Sequence, residues 1–204
     1  MGKCVLCERE FYTIKELFDN YEDVVCGKCC KKFETMIKKT VVNGVNVYYL
    51  FEYSEEMMSA LVSFKGLGNK AIKDAMILPR IRKQLKRKFK NATFIYMPST
   101  ESDDEERGFR HVEELFHDIS KEGIYPLTKT QKRKQALCTY AERKGIIQYM
   151  KLKDDYKVDG NKRIVLVDDV LTSGATIFSA AKLLGLTNFE ILVVLFNHHN
   201  YEQK

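Results

Sequence analysis

Two adjacent carboxylates followed by a hydroxyl-rich turn form the part of the sequence best suited to chemistry. Asp168 and Asp169 come directly after the apolar run Ile164 to Val167, and a loop of small and hydroxyl residues follows them. The loop consists of Leu171, Thr172, Ser173, Gly174, Ala175 and Thr176. Carboxylates accept hydrogen bonds from sugar hydroxyls, and a turn that opens a helix offers backbone N–H groups to a phosphate. This segment therefore predicts a site for a sugar phosphate; the alternative is an ordinary strand, loop and helix with incidental acids.

The apolar run predicts a strand buried on both faces, because apolar and polar residues do not alternate in it. Two charges end the run, so we expect the strand to surface at Asp168. That point would lie at the carboxyl edge of the sheet, where open α/β folds bind ligands. A helix is expected to follow from Ile177 to Leu184. The pattern predicts the α/β fold class, with a parallel sheet flanked by helices.

Four cysteines near the start of the chain have the spacing of a metal site. Cys4 and Cys7 form one CxxC pair, and Cys26 and Cys29 form a second. Two such pairs can close a tetrahedron of thiolates around Zn²⁺, which predicts a structural zinc site. Cys30 directly follows Cys29, so the identity of the fourth ligand stays open. Disulfides and unbound thiols are the alternatives, and nothing in the sequence indicates the export that disulfides require.

Length and composition allow one α/β domain with a small appendage. The chain has 204 residues, of which 45% are apolar, enough to bury a sizeable core. We expect a zinc-ribbon module over residues 1–40 and the α/β domain over residues 41–204. No stretch approaches the ~20 apolar residues that span a bilayer, and Met1 to Cys4 lacks the apolar core of a signal peptide. The expectation is a cytoplasmic protein without membrane insertion, in which Cys138 is a buried or idle thiol.

The net charge of +6 is unevenly distributed along the chain. One basic cluster lies between Arg80 and Lys90, and a second lies between Lys129 and Arg133-Lys134. Clusters of this kind attract polyanions such as nucleic acid. The alternative is that both clusters are the solvated faces of helices, and the sequence leaves this choice open.

Turn and capping residues predict the remaining elements. Asn43-Gly44 between two apolar runs predicts a hairpin, and Ser54 followed by two glutamates predicts the start of a helix. Pro79 interrupts the helix predicted from Ala71, or begins its second half. Further strands are expected at residues 93–97, 146–152 and 191–196, and further helices from Phe109 and over residues 130–144.

Two basic residues are candidates for binding the charged groups of a phosphorylated ligand. Lys65 stands next to Gly66 and near Gly68, so a pyrophosphate can approach the backbone closely; a plain helix end is the alternative. Residues 99–106 are polar and acidic, which predicts a mobile loop of the kind that closes over a site. Arg107, which follows them, either pairs with phosphate oxygens or neutralises its acidic neighbours.

The segment from Val167 to Thr176 resembles the phosphoribosyl pyrophosphate (PRPP) motif of type I phosphoribosyltransferases. The resemblance implies that Asp168 and Asp169 bind the ribose 2- and 3-hydroxyls and that Leu171 to Thr176 hold the 5-phosphate. It also implies Mg²⁺ bound together with PRPP, and a type I phosphoribosyltransferase-like fold for residues 41–204.

A series of motifs extends over nearly the whole chain: the four cysteines, Leu50-Phe51-Glu52-Tyr53, Phe64-Lys65-Gly66, Arg107-Gly108-Phe109, Lys129-x-Gln131 and Val167 to Thr176. In this order, the motifs resemble those of the ComF/ComFC competence-protein family of bacteria. The resemblance implies that Lys65 contacts pyrophosphate and that the protein handles single-stranded DNA during uptake, alongside a helicase-like competence protein. The family has Asn-Gln after its Arg-Gly-Phe motif, whereas this chain has Arg110-His111.

Three functions are compatible with these features. The first is a DNA-processing factor for natural transformation, which binds single-stranded DNA through its basic clusters and PRPP or a related ribose phosphate at its acidic pair. The second is an active Mg²⁺-dependent phosphoribosyltransferase with Asp168 and Asp169 as catalytic residues, because carboxylates stabilise positive charge that develops on the ribose ring. No residue specifies its nucleobase or amine acceptor. The third is a redox or zinc-storage module with a vestigial domain.

Overall fold

The structure is a computed structural model that describes most of the chain. The described residues are 2–4, 7–11, 26–32, 36–67, 71–129, 149–153, 156, 158–159, 161–198 and 201. The helix predicted over residues 130–144, Cys138, most of the second basic cluster and the side chain of Cys30 lie outside this part. A strand was predicted over residues 146–152, and the structure describes its last three residues, Met150–Leu152, as a strand.

A six-stranded sheet forms the centre of the fold. It has the order β3–β4–β10–β9–β5–β6, and all neighbours are parallel except β3 and β4. Two short antiparallel pairs, β1–β2 and β7–β8, lie outside it. The strands are β1 (Gly2–Lys3), β2 (Glu10–Phe11), β3 (Lys38–Val42), β4 (Val45–Glu52), β5 (Ala92–Tyr96), β6 (Glu122–Ile124), β7 (Leu127–Lys129), β8 (Met150–Leu152), β9 (Arg163–Leu171) and β10 (Glu190–Phe196).

Helices pack on both faces of this sheet, so the predicted fold class is confirmed. Val165 and Val167 of β9 belong to one buried apolar cluster with helices α2 to α4, whereas Leu166 belongs to a second cluster with α7. Within the described residues, no helix has the length and apolarity to cross a bilayer. The helices are α1 (Gly27–Lys32), α2 (Glu55–Leu67), α3 (Ala71–Met76), α4 (Pro79–Lys88), α5 (Glu101–Arg107), α6 (His111–Phe116) and α7 (Ala175–Leu183).

The hairpin predicted at Asn43-Gly44 is confirmed. Val42 pairs with Val45, and the two turn residues have φ values of 50° and 78°. Both values lie in the left-handed region, which a type I′ turn requires and which asparagine and glycine tolerate. Local residue preferences therefore set the register of this edge of the sheet.

Strand β9 does not end where the charges begin. Its ladder with β10 continues past Asp168, which is opposite Val193, to Leu171, which is opposite Phe196. The strand therefore continues past the predicted end on its β10 side, whereas its ladder with β5 stops at Val167, as predicted. Asp169 is only 5% exposed, and the cation and imidazole that lie against its carboxylate allow a charge inside the sheet.

The acidic segment before Arg107 is a helix, so the prediction of a mobile loop over residues 99–106 is wrong. Thr100 is the N-cap of α5, and its side-chain oxygen accepts a hydrogen bond from the Asp103 N–H at 3.2 Å. Acidic residues in the first turn are favourable at a helix N-terminus. Gly108 ends the helix with φ 76°, as expected of a left-handed C-cap.

Lys65 lies in the last turn of α2. The expected N-cap of this helix is confirmed, because the Ser54 hydroxyl accepts from the Met57 N–H at 3.2 Å. Pro79 occupies the first turn of α4, so it begins a new helix after α3. Lys65 thus reaches its partners from a rigid element and not from a flexible glycine loop.

Candidate functional site

Asp169 lies at the centre of a buried polar cluster near the carboxyl end of β9. The Lys65 ammonium of α2 forms an ion pair with Asp169 Oδ2, and His111 Nε2 of α6 lies 3.1 Å from the same oxygen. A buried charge is costly unless it is paired and hydrogen-bonded. Lys65 and His111 therefore allow an ionised Asp169 inside the sheet, and they hold its carboxylate in one orientation.

The protonation state of His111 follows from its second ring nitrogen. His111 Nδ1 lies 3.1 Å from Arg107 Nη1 and 3.1 Å from Ser99 Oγ. An arginine N–H can only donate, so Nδ1 accepts and the ring proton lies on Nε2, the nitrogen that lies 3.1 Å from Asp169 Oδ2. Arg107 Nη1 also donates to Asp104 Oδ1 at 3.0 Å. A chain of contacts thus connects α5 to the carboxylate in β9.

Burial and neighbouring charges shift the pKa values of His111 and Lys65 in this cluster. Burial lowers the pKa of His111, and the nearby charges of Lys65 and Arg107 lower it further, so the imidazole is neutral near pH 7. Burial also lowers the pKa of Lys65 to about 8, although the Asp168 charge opposes this shift. Lys65 is therefore mostly cationic at neutral pH, yet it can lose its proton more easily than an exposed lysine.

Asp168 is the less enclosed carboxylate of the pair. Its Oδ1 accepts a hydrogen bond from the Asp169 N–H at 2.9 Å, and its side chain is half-buried. Burial raises the pKa of Asp168 to about 6, against the lowering effect of Lys65 and Lys129. Asp168 can therefore offer a carboxylate to a ligand at neutral pH.

The hydroxyl-rich loop leads directly into helix α7. Gly174 is the N-cap with φ 71°, and a Cβ there would lie 2.7 Å from Phe178 Cε2. Phe178 makes the first regular hydrogen bond of the helix, from its N–H to Gly174 O. The N–H groups of the first turn precede that bond and have no carbonyl partner within the helix. Of these groups, the Ala175 N–H approaches Ser173 Oγ at 3.4 Å, so the turn presents donors and a positive dipole end.

The structure brings the predicted residues Asp168, Asp169 and Lys65 together. It connects Arg107 to them through His111, which the sequence reasoning missed as a site residue. The available signal was the departure from the family motif at Arg110-His111. Lys129 was identified as part of a basic cluster and of a family motif but not as a site residue, although its charge acts on both Asp168 and Lys65.

The four cysteines near the start of the chain form a second candidate site. Their sulfur atoms all lie within 4.8 Å of one another, and Cys7 Sγ and Cys26 Sγ are 3.7 Å apart. A zinc tetrahedron with Zn–S bonds of about 2.3 Å has edges of about 3.8 Å. The first pair is shaped by a turn in which the Cys4 N–H donates to Arg9 O at 2.9 Å. This donor set and spacing fit a metal ion.

Comparison with known proteins supports the motif resemblance. No protein-family model matches the chain. It is 25% identical over 208 residues to the competence protein ComFC of Streptococcus pneumoniae (strain ATCC BAA-255 / R6), and the match covers 89% of this chain and 93% of that protein. The predicted resemblance to the ComF/ComFC family is thereby confirmed. A hypoxanthine phosphoribosyltransferase from Staphylococcus aureus matches with a TM-score of 0.38 and 14% identity, over 61% of this chain and 64% of that one.

Proposed function

We propose that, like the competence protein it resembles, this chain acts in natural transformation, where it handles incoming single-stranded DNA and binds a ribose phosphate such as PRPP. The observation that carries the proposal is the similarity to ComFC, which covers 89% of this chain and 93% of the relative. A match of that length extends well beyond any single motif of the chain. We place the protein in the cytoplasm and assign it a helicase-like competence protein as its partner.

The ribose phosphate would lie at the carboxyl end of β9. Asp168 is the residue that we assign to the ribose hydroxyls, because it is less enclosed than Asp169 and carries no ion pair as close as that of Lys65 with Asp169. The first turn of α7 and the residues Leu171 to Thr176 would hold the 5-phosphate. Lys65 and Arg107 supply positive charge for a pyrophosphate.

Mg²⁺ fits this site as a companion of PRPP. Hard cations prefer carboxylate oxygen and keep several waters, and Asp168 offers such an oxygen. We assign Asp168 to hold the ion, through water, beside the ribose hydroxyls. Asp169 instead orients the cluster, because Lys65 and His111 already lie against its Oδ2.

Helix α4 is the surface that we assign to DNA phosphates. Arg82 faces inward, where its Nη1 contacts Asp118 Oδ1 at 2.5 Å. The other face of the helix and its C-terminal end carry exposed basic residues. These residues are Lys83, Arg87, Lys88 and Lys90. Lys86 lies on the same face as Arg82, with its Nζ 3.4 Å from Asp118 Oδ2. Binding through such a face is independent of sequence and weakens as salt rises.

The cysteine cluster is assigned a structural Zn²⁺, held by Cys4, Cys7, Cys26 and Cys29. A segment of this size buries too little apolar surface to fold alone, and a metal supplies the missing stability. Four thiolates fill the tetrahedral coordination of Zn²⁺ and leave no position for water or substrate. The ion would therefore be structural and would not take part in chemistry.

A second candidate function is transfer of the phosphoribosyl group to a nucleobase or amine acceptor. The observation that favours it is the placement of Asp168, whose carboxylate could stabilise positive charge on the ribose ring as pyrophosphate leaves. Release of pyrophosphate from PRPP in an acceptor screen would support it. Binding of PRPP without turnover would instead favour the role of a ligand sensor.

The proposed function is tested by separating the two sites. Asp168→Asn keeps the side-chain shape, and we expect it to abolish PRPP binding by calorimetry while DNA binding stays at the wild-type level. The triple variant Lys83→Ala/Arg87→Ala/Lys90→Ala should do the reverse, and it should reduce the slope of log affinity against log salt by about 2. Both variants should lower transformation frequency. Normal transformation in cells that lack the protein would overturn the proposal.

A further inference from the structure

Three flat side chains are stacked beside the candidate ribose-phosphate site. The rings of Tyr96 and Tyr125 lie 5.0 Å apart at an angle of 20°. The guanidinium carbon of Arg110 lies 4.6 Å from the centroid of the Tyr125 ring. Tyr96 is buried, whereas the Arg110 side chain is 51% exposed. The stack therefore runs from the core to the surface and ends in a planar cation.

The surrounding residues fix this stack in place. Gly123 of β6 lies so close to the Tyr96 ring that a Cβ there would be 2.5 Å from Cε2. Burial and the neighbouring Glu113 carboxylate raise the pKa of the Tyr125 hydroxyl. Arg110 Nε lies 4.0 Å from Asp104 Oδ2. A surface arginine that is held on both an aromatic ring and a carboxylate is pre-organised to present its free face.

All three side chains line a cavity of about 80 Å³ that opens to solvent. Since one water needs roughly 10–15 Å³ by this measure, the cavity has room for several waters or a small ring. Polar groups of both signs surround it. Besides Arg110, they are Ser99, Glu101, Asp104, Glu113, Thr128, Lys129 and Lys153.

The cavity adjoins the strand that carries Asp168. Met97, which also lines it, donates its N–H to Val167 O at 2.9 Å. Lys129 lines the cavity and is close enough to Asp168 for its charge to lower that carboxyl's pKa. A ligand in the cavity and a ribose phosphate at Asp168 would therefore be neighbours.

We propose that this cavity binds a nucleobase, which stacks on the exposed face of Arg110 and places its polar edge among the surrounding charged groups. Every base has a flat π-face, and arginine planes are favourable stacking platforms for it. The cavity lining contains both hydrogen-bond donors and acceptors. Such a lining suits the polar edge of a nucleobase better than it suits a purely apolar ring. The inference deepens the proposed function and takes its ligand class from it.

The base can belong to a DNA strand or to a free nucleoside, and the test separates these sources. Fluorescence anisotropy measures binding of a short oligothymidylate and of an abasic strand of equal length at the same salt concentration. We expect the wild type to bind the base-containing strand about tenfold more tightly or better, the gain from one stacking contact. Thymidine as a competitor then shows whether a free nucleoside enters the cavity. Displacement of the oligothymidylate assigns the cavity to free nucleosides as well. If thymidine displaces nothing and the preference for the base-containing strand remains, the cavity is assigned to bases in a strand.

Arg110→Lys keeps the charge and removes the planar guanidinium. It should therefore bring the ratio of the affinities for the base-containing and the abasic strand close to one, without weakening binding of the abasic strand. Arg163→Lys is the matched control, because Arg163 also lies over an aromatic ring, 5.1 Å from the Phe89 centroid, at the other end of β9. This control should keep the wild-type ratio. Thermal denaturation of both variants checks that each remains folded.

Equal binding of both strands by the wild type would overturn the nucleobase inference and leave the proposed DNA role intact. An unchanged ratio in Arg110→Lys would overturn it as well. If the wild type binds neither strand, the proposed function and this inference fall together.

Discussion

His111 connects the cationic Arg107 to the buried carboxylate of Asp169, and substitutions at this position test the connection. A glutamine can donate to Asp169 through its amide N–H and accept from Arg107 through its carbonyl oxygen. We therefore expect His111→Gln to change the free energy of unfolding by less than about 1 kcal/mol, and His111→Ala to lower it by about 1–3 kcal/mol, because two buried groups lose a partner. Urea denaturation at pH 7 measures both. Equal stability of the two variants would contradict this view of His111.

The same residue predicts a pH dependence of stability. Burial lowers the pKa of folded His111 to about 2, whereas an unfolded histidine titrates near 6.5. Below pH ~6.5 the unfolded chain takes up a proton that the folded chain does not, so stability falls as pH falls, by up to about 1.4 kcal/mol per pH unit.

Between pH 7 and pH 5 the wild type should therefore lose about 2 kcal/mol more stability than His111→Gln. Above pH 7 the two curves should run parallel, since the histidine is neutral in both states. Urea midpoints of both proteins at several pH values provide the measurement. Parallel curves down to pH 5 would mean that the ring is protonated in the folded protein.

At the scale of elements, the cap of α5 determines how Arg107 is presented. Thr100 is buried and its oxygen accepts from the Asp103 N–H. Thr100→Val keeps the shape and removes that acceptor, so we expect a loss of about 1 kcal/mol in unfolding free energy. Thr100→Ser retains the oxygen and serves as the control. Hydrogen exchange of the α5 amides should accelerate in the valine variant only; equal protection in both variants would show that the cap is unimportant.

The contact between β6 and the Tyr96 ring provides a second test at this scale. Gly123→Ala places a methyl group 2.5 Å from Tyr96 Cε2, so the ring must move, at a cost of about 1–3 kcal/mol. Gly66→Ala is the control, because a Cβ on that helical glycine meets nothing within 4 Å and alanine favours a helix. Denaturation curves should separate the two variants clearly. A neutral Gly123→Ala would contradict the tight packing of the Tyr96–Tyr125 stack.

Short-range patterns predicted the elements well where local chemistry determines them. Asn43-Gly44 specifies its own turn, and the continuous apolar run of β9 predicts a strand covered on both faces. The α5 helix was missed because its acidic residues were interpreted as solvated loop, although Thr100 with Asp103 three residues later is a capping pattern. Local composition was a weaker guide there than the position of the capping residue.

Tertiary contacts explain why other features were not predictable. The sequence does not show that Lys65 meets Asp169, since more than a hundred residues separate them. Without that ion pair, two carboxylates inside a strand look impossible, so the strand was predicted to surface early. The role of His111 was equally hidden, because its two partners come from α5 and β9.

At the scale of the whole molecule, metal removal tests the cysteine cluster. We expect one Zn²⁺ per chain by elemental analysis, and a strong chelator should unfold the cysteine module. Amides held by its turn, such as the Cys4 N–H bonded to Arg9 O, should lose protection from hydrogen exchange. Amides of β9 and β10 should keep theirs, because their ladder lies in the central sheet.

Two variants sharpen that test. Cys26→Ser removes a proposed ligand and should lower the zinc content. Cys138 is outside the CxxC pairs, so Cys138→Ser should leave the zinc content unchanged. Protein that is purified without zinc, or that keeps its exchange pattern after chelation, would contradict the assignment of a structural metal.

The position of β10 between β4 and β9 has a consequence for biosynthesis. As the nascent chain leaves the ribosome, β4 can pair with β3 at once, but its other edge waits until residues 190–196 have been translated. Until then β4 and β9 both expose unpaired backbone groups on apolar strands, which are templates for association with other chains. The closing of the central sheet is therefore a late event, and ribosome-associated chaperones have a defined interval in which to shield it.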